Sequence, residues 1–597
     1  MQAKSARTTR RLNLGCLSSI IVAVCVAINM VVYPDSAKLI FMAGACGVAF
    51  VEFAWRKQLH LTWADLAFAA IITYGAASLA WSSNPLGGLQ AVIIAIACLG
   101  FVVWLGHREL IHIEILCIGV MVGTWLAWIS NDWLPAGAYS GFANSGYAAE
   151  ALALTIPLMW FLWKQWRTWW RWLPAAHALG VVAYILAFTP SLIPHVGAGG
   201  LVVAYCVHLT WRRSRGWALL ELAAWLGLGA LACVVFWHFP DLRKHLAYRF
   251  EVWVNTAFMI ADHPLFGGGL GSFIEDYPRY LDAHGSLMPF YNLMMNSYTA
   301  QMEAAHNEPL QVLAELGVIG FTLVAAMFFL AFRDAALSPP RRRPATTAGA
   351  ALIVILIAES LLEYPTQRSA SLFLAVIGFG LLRRAGALNY PAIVLSTRSF
   401  RYPKVAIAAV VGALLIDGAN RQTDAEILLD EARSVSHTNP VIAINASYQA
   451  HMVDPWMRMA RTDMPTHLEN VTLMLGPKAI PRSIADQIFA WQDQGARFCL
   501  ASMLARVNYL FDTTDGQDPG LPALLADLSR GTSRVAAVYA VKARYALLQG
   551  RYDDALKIVA QARAYEWFPQ SNDIAADASV ISALNAIEKA AREKMAK

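Results

Sequence analysis

His306, Asn307 and Glu308 stand in a row and run straight into an apolar segment that ends near Phe332. Each of the three brings chemistry. A histidine titrates near neutral pH and can take or give a proton. An asparagine offers donors and an acceptor, and a carboxylate accepts. The apolar segment is long enough to cross a bilayer, so the trio sits where a membrane helix meets water. Ionisable groups at such a border are functional candidates. The plainer alternative is a hydrated helix start with Asn307 as its cap. Gln311 and Glu315 follow four apart on one helix face. Glu315 lies just over a turn into the span and must face protein or a water-filled cavity.

The elements that position these groups are membrane helices. Of 597 residues, 57% are hydrophobic and only 15% charged, against about 25% charged in ordinary soluble domains. The 21 tryptophans supply interfacial anchors. The net charge of +6 is spread along the chain in a topological pattern and does not argue for nucleic acid. Cysteines occur without CxxC pairs or metal-ligand spacing, so no metal is expected.

Apolar runs recur at 14–33, 38–55, 64–82, 88–105, 111–130, 147–163, 172–192, 197–211, 217–239, 309–332, 346–362, 370–382 and 404–420. They predict an all-α polytopic helical bundle of about 13 spans. With the N-terminus in the cytoplasm, the short inner loops hold Arg56, Lys57, Arg108, Lys164, Arg167, Arg212, Arg213, Arg333, Arg383 and Arg384. The outer loops hold almost none, with Arg368 the exception. That segregation follows the positive-inside rule. It places a long loop, 240–308, and the tail after residue 420 on the outer side, the periplasm of a bacterial cell. The expected division is a membrane domain over 1–420 and a periplasmic helical domain over 421–597. In the tail, Tyr539 to Ala564 reads as two helices broken at Gln549-Gly550-Arg551. Gly550, Tyr552, Ala555 and Ala562 fit a tetratricopeptide-type unit, echoed by Ala425 and Ala432. The tail is thus expected to be TPR-like, either docking a protein partner or capping the membrane site.

Upstream of His306 the long loop contains Arg249-x-x-x-Trp253 and then Pro264-Leu265-Phe266-Gly267-x-Gly269-x-Gly271-x-Phe273. Its glycines permit tight turns or close backbone approach to a ligand. No strand–turn–helix context and no following lysine support a nucleotide loop.

These two stretches, followed by His306-Asn307-x-x-Leu310-Gln311-x-x-x-Glu315-x-Gly317-x-x-Gly320, resemble the signature of the O-antigen ligase and polymerase superfamily. Its members are multispan bacterial glycosyltransferases that use polyprenyl-pyrophosphate-linked glycans. Trp81-Ser82-Ser83-Asn84-Pro85, Gly141-Phe142-Ala143-Asn144 and Glu363-Tyr364-Pro365-Thr366-Gln367-Arg368 resemble further parts of that pattern. One departure stands out. The family often has a Ser-Arg pair before the 197–211 run, and here that region reads Thr189 to Gly197 with no arginine. That anion contact is then either absent or supplied by Arg368, Arg243 or His195.

The resemblance implies transfer of a glycan from an undecaprenyl pyrophosphate to an acceptor hydroxyl at the periplasmic face of the inner membrane, inverting, with no metal, nucleotide or other cofactor. The acceptor stays open between a lipid A–core sugar, as for a ligase, a growing glycan, as for a polymerase, and a secreted protein, as for an O-oligosaccharyltransferase. The leaving pyrophosphate gains charge, which suits a forked arginine, and Arg249 is the first candidate. The acceptor must lose a proton, which suits His306, either as base or as a phosphate donor. Asn307, Gln311, Glu315, Arg368, Gly269 and Gly271 complete the expected substrate contacts. Glu315 is a candidate to hold His306 through an intermediate residue. A transporter or lipid flippase is the rival of another class, but internal repeats are lacking in the membrane part.

Overall fold

The computed structural model describes the chain except residues 1, 31–34, 55–57, 131–144, 189–192, 212, 237–239, 281–303, 338–342, 390, 397–400, 456, 477–478, 494–498, 530–535, 565–573 and 597. The Gly141–Asn144 stretch and Thr189 to Leu192 lie outside the described residues.

Among the described residues the fold is helical apart from one short ribbon. The first half contains α1 (Gln2–Asn29), α2 (Asp35–Ala54), α3 (Trp63–Ser78), α4 (Pro85–Gly106), α5 (Leu110–Ser130), α6 (Ser145–Ala153), α7 (Ile156–Gln165), α8 (Trp172–Phe188), α9 (Ile193–Trp211), α10 (Arg215–Phe236), α11 (Pro240–Asp262) and the short α12 (Phe273–Asp276). There follow α13 (Glu308–Ala336), α14 (Arg343–Ser360), α15 (Ser369–Asn389) and α16 (Arg401–Val435). The tail adds α17 (Pro440–Val453), α18 (Arg458–Leu475), α19 (Arg482–Asp493), α20 (Leu500–Thr514), α21 (Leu521–Ser529), α22 (Ala536–Leu548), α23 (Tyr552–Ala564) and α24 (Ile574–Met595).

Among the described residues each expected apolar run overlaps a helix, with 147–163 divided between α6 and α7. Among the described residues, four helical stretches are long and apolar enough to cross a membrane: Pro85–Gly106, Leu110–Trp128, Glu308–Ala336 and Arg343–Ser360. Local chemistry sets the helix starts. Thr62 and Asp65 cap α3 reciprocally, each side chain taking the other's backbone N–H. Asn84, Asn307 and Asn439 cap α4, α13 and α17, each with a proline in the first turn.

Three features depart from the sequence reading. The segment after residue 240 is no open loop at its start; it is the 23-residue helix α11. The bundle carries a small ribbon, β1 (Gln58–Leu61) paired antiparallel with β2 (Ile393–Ser396), with Gln58 opposite Ser396 and Leu61 opposite Ile393. Arg383 and Arg384 lie within α15 and are buried rather than in a loop. Arg383 is fully enclosed. It donates to Asp65 Oδ2 at 2.6 Å, to the His60 carbonyl at 3.0 Å and to the Val103 carbonyl at 3.1 Å. A Cβ at Gly106 would collide with its guanidinium. A buried cation of this kind is tolerable only because each of these acceptors is in place. Arg383→Ala leaves the Asp65 carboxylate buried without its cation, at a cost of about 3–5 kcal/mol. A lowered melting temperature of the detergent-solubilised protein checks this, and an unchanged one removes the pair from the stability account.

Helix α16 continues without a break across residue 420. Its Ala425 and Ala432, both fully buried, let the tail helices approach closely. The α22–α23 hairpin turns at Gly550, whose φ of 70° favours glycine. One apolar cluster joins Met464, Leu468, Phe489 and Tyr509 of the tail to Val252, Met259, Phe273 and Tyr277. The tail therefore packs onto the segment that carries Arg249.

Candidate functional site

The middle of α11, the start of α13 and the end of α14 meet at one carboxylate. Glu363 follows α14 by three residues, past the last apolar turn. His306 Nδ1 lies 3.0 Å from its Oε2. Arg249, from α11, donates Nη2 to Oε1 at 2.6 Å and Nε to the Leu362 carbonyl at 3.0 Å. Arg368 donates Nη2 to Oε2 at 3.0 Å and Nη1 to Glu150. Glu363 is thus shared by a histidine and two arginines.

Burial opposes charge on Glu363, but the His306 hydrogen bond and the charges of Arg368 and Arg249 outweigh it and push its carboxyl down to about 2. An ionised carboxylate only accepts, so His306 Nδ1 carries the hydrogen. In the neutral ring Nε2 is then the basic nitrogen.

His306 is held from several sides. Its backbone sits at φ 48°, a left-handed conformation that costs a non-glycine residue about 1–3 kcal/mol. The Trp253 indole N–H donates to its carbonyl at 3.3 Å. The Tyr364 ring meets the imidazole edge to face at 5.0 Å. The next residue, Asn307, accepts the Leu310 N–H at 2.9 Å as the cap of α13 and donates to the Leu361 carbonyl at 2.9 Å. Glu308 takes hydrogen bonds from Ser360 and from the Thr366 backbone and hydroxyl. The plainer alternative is realised in Asn307, which caps α13 directly beside the residue that carries the imidazole.

Arg368 is packed differently from Arg249. Its guanidinium lies over the Tyr147 ring at 3.2 Å and the Tyr364 ring at 4.5 Å, between two carboxylates, and its side chain is buried. Arg249 is half-buried, and among the described residues Nε and Nη2 bond Leu362 and Glu363, so Nη1 is the group placed to meet an anion. His195 lies in the first turn of α9, and Arg243 falls within α11.

Gln311 and Glu315 act one step removed. Glu315 Oε1 takes Gln311 Nε2 at 3.2 Å, and Gln311 Oε1 takes the Ala305 N–H at 3.2 Å, next to His306. Glu315 therefore reaches His306 through Gln311 and the backbone, whereas the imidazole itself is oriented by Glu363. Glu315 Oε2 also accepts the Gly271 N–H at 2.9 Å.

The glycine-rich turn docks into a break in α13. Gly317, at φ 64° and ψ −170°, interrupts the helix. The freed groups find partners in the turn: Val318 N–H donates to Pro264 at 2.9 Å, Gly268 N–H to Ala314 at 2.9 Å and Gly269 N–H to Glu315 at 2.8 Å. The close approach of Gly269 and Gly271 is made to the protein's own α3–α4 connection. A Cβ on Gly269 would lie 2.6 Å from Ser82, and one on Gly271 would lie 2.7 Å from the Gly88 nitrogen. Trp81, Ser82 and Asn84 bond the carbonyls of Gly267, Leu270 and Gly271. The early stretch and the glycine turn, far apart in sequence, form one unit.

The sequence model of the family described as O-antigen ligase matches residues 134–325. This segment, about a third of the chain, is similar to the O-antigen ligase family. No curated protein matches the chain. The family comprises glycosyl-transfer enzymes of the ligase and polymerase type that act on lipid-linked glycans. The O-antigen ligase segment contains Arg249, the glycine turn and His306, and it ends before Glu363 and Arg368. The fold returns those two residues to it. Glu363 carries the same signal that marked His306, an ionisable group at the end of an apolar helix, yet only its motif and not its role was read from sequence. Glu150, Tyr147 and Tyr364 gave no such signal, because each takes its meaning from Arg368.

Proposed function

We propose that the chain transfers a glycan from an undecaprenyl-pyrophosphate-linked donor to the hydroxyl of a lipid A–core acceptor, at the periplasmic face of a bacterial inner membrane. The carrying observation is the convergence of Arg249 and His306 on the Glu363 carboxylate, at the start of α13, in a chain with a segment similar to the O-antigen ligase family. In this reading His306 Nε2 takes the acceptor's proton as its oxygen bonds to the anomeric carbon. Glu363 holds the Nδ1–H and balances the imidazolium charge. The bond from the anomeric carbon to the pyrophosphate oxygen breaks on the opposite side, which inverts the centre. Arg249 Nη1 meets the charge that grows on the leaving pyrophosphate. Arg368, already committed to Glu150 and Glu363, keeps Glu363 in place. The arginine supplies the cationic charge, so the reading calls on no metal.

The test uses the full chain in liposomes with labelled undecaprenyl-pyrophosphate glycan. Lipid A–core, a second lipid-linked glycan or a serine- and threonine-rich secreted protein is offered as acceptor. Label is expected on lipid A–core. Movement onto the second glycan or the protein would instead make this a polymerase or a protein O-oligosaccharyltransferase. Arg249→Lys keeps one charge but loses the fork, and transfer should fall by about 10²–10³-fold. A lysine variant as fast as the parent removes Arg249 from the reaction.

A further inference from the structure

The break in α13 leaves its polar backbone satisfied and its side chains uncovered. Val318 and Ile319 N–H groups donate into the glycine turn, and the Tyr74 hydroxyl donates to the Leu316 and Phe266 carbonyls at 3.2 and 3.0 Å. Around these bonds Leu265 is 59% exposed, Phe266 56%, Trp81 44%, Val318 47%, Ile319 38% and Phe321 37%. Trp81 meets Phe266 edge to face at 6.5 Å, and its indole N–H is already bonded to Gly267. An irregular backbone whose polar groups are bonded within the protein, under six exposed apolar side chains, suits contact with hydrocarbon, since lipid offers no hydrogen bonds. The face is also continuous with the site. Glu315 bonds the turn at Gly271 and reaches Ala305 through Gln311. From the start of α13 to Gly317 the helix rises roughly 15 Å, the scale of a pyrophosphate headgroup and the beginning of its chain.

We infer that this face, with Leu265 and Phe266 at its centre, binds the first isoprene units of the polyprenyl chain of the donor. The inference rests on the proposed function for the identity of the donor. The chain lies against Phe266 and Ile319 while the pyrophosphate reaches Arg249. The turn then has a second role, to fill the helix break from within so that Leu265, Phe266, Val318 and Ile319 can face outward.

The test is a binding measurement that needs no glycan transfer. The full chain in lipid nanodiscs is irradiated with a polyprenyl pyrophosphate that carries a diazirine on its first isoprene units, and the labelled peptides are sequenced. Label is expected at 265–266 and 318–321, displaced by excess unlabelled polyprenyl pyrophosphate and not by phosphatidylglycerol. Phe266→Ser and Ile319→Ser should each cut labelling at least about fivefold; both side chains are exposed, so unchanged melting temperatures confirm an intact fold. Label elsewhere, equal displacement by phosphatidylglycerol, or labelling indifferent to both variants overturns the inference. Loss of the transferase reading is seen separately, as full glycan transfer by a His306 variant while the labelling persists.

Discussion

His306→Asn is expected to lower glycan transfer by about 10²–10⁴-fold and to leave the fold in place. Asparagine is the substitution of choice because position 306 has φ 48°, and asparagine tolerates the left-handed region better than most residues. Its amide can still donate toward Glu363, so the junction with Arg249 and Arg368 keeps a hydrogen-bond donor where Nδ1 stood. What it lacks is a basic nitrogen on the far side of the ring. The variant thus separates proton transfer from positioning. Lipid-linked glycan should accumulate in cells, and the purified variant should melt within a few degrees of the parent. Transfer at the parental rate would show that His306 is not the base and would return the role to another group. Equal loss of transfer and of folded protein would assign His306 to architecture.

Much of the helical layout was legible because a bilayer forces apolar runs of fixed length, and the runs fall on helices. His306 and Arg249 were legible because each is a polar group that an apolar neighbourhood makes conspicuous. Their shared partner was not. Glu363 is 57 positions from His306 and 114 from Arg249, and no local pattern reports contacts at such separations. The break in α13 was hidden for a different reason. Residues on both sides of Gly317 are apolar and periodic, so the sequence reads as one helix, and only the docked glycine turn makes the break affordable to the backbone. Arg383 misled because charge counting treats every arginine near a helix end as solvated. Asp65 and three backbone carbonyls replace that solvent. The long outer loop misled too, since α11 is polar on much of its surface and lacks the apolar density that marks the spans.

Glu363→Gln should have a large effect on stability, and its pH dependence identifies the cause. The glutamine keeps the shape and removes the charge. Arg368 then remains buried with Glu150 as its one ion-pair partner among the described residues, and Arg249 loses its carboxylate. Leaving one member of a buried ionic junction uncompensated costs about 3–5 kcal/mol. The sign of the pH effect follows from where the carboxyl titrates. In the folded protein it is held at about 2, below the ordinary glutamate value of about 4.3. Its contribution is therefore complete above the ordinary value and is lost as pH falls toward about 2, amounting to about 3 kcal/mol. Melting temperatures of parent and variant should differ most near neutral pH, and the gap should narrow between about pH 5 and about pH 2 as the parent takes up the proton the glutamine cannot. A gap that stays constant down the acid range would mean that the loss comes from packing around Tyr147 and Tyr364 and not from the charge. Transfer should fall with it, because Glu363 fixes the Nδ1–H of His306 and holds Arg249 at the same point. Restoring a shorter carboxylate with Glu363→Asp should recover the pH-dependent part of the stability before it recovers the rate. The charge acts over several ångströms, while the imidazole needs its partner within hydrogen-bond reach.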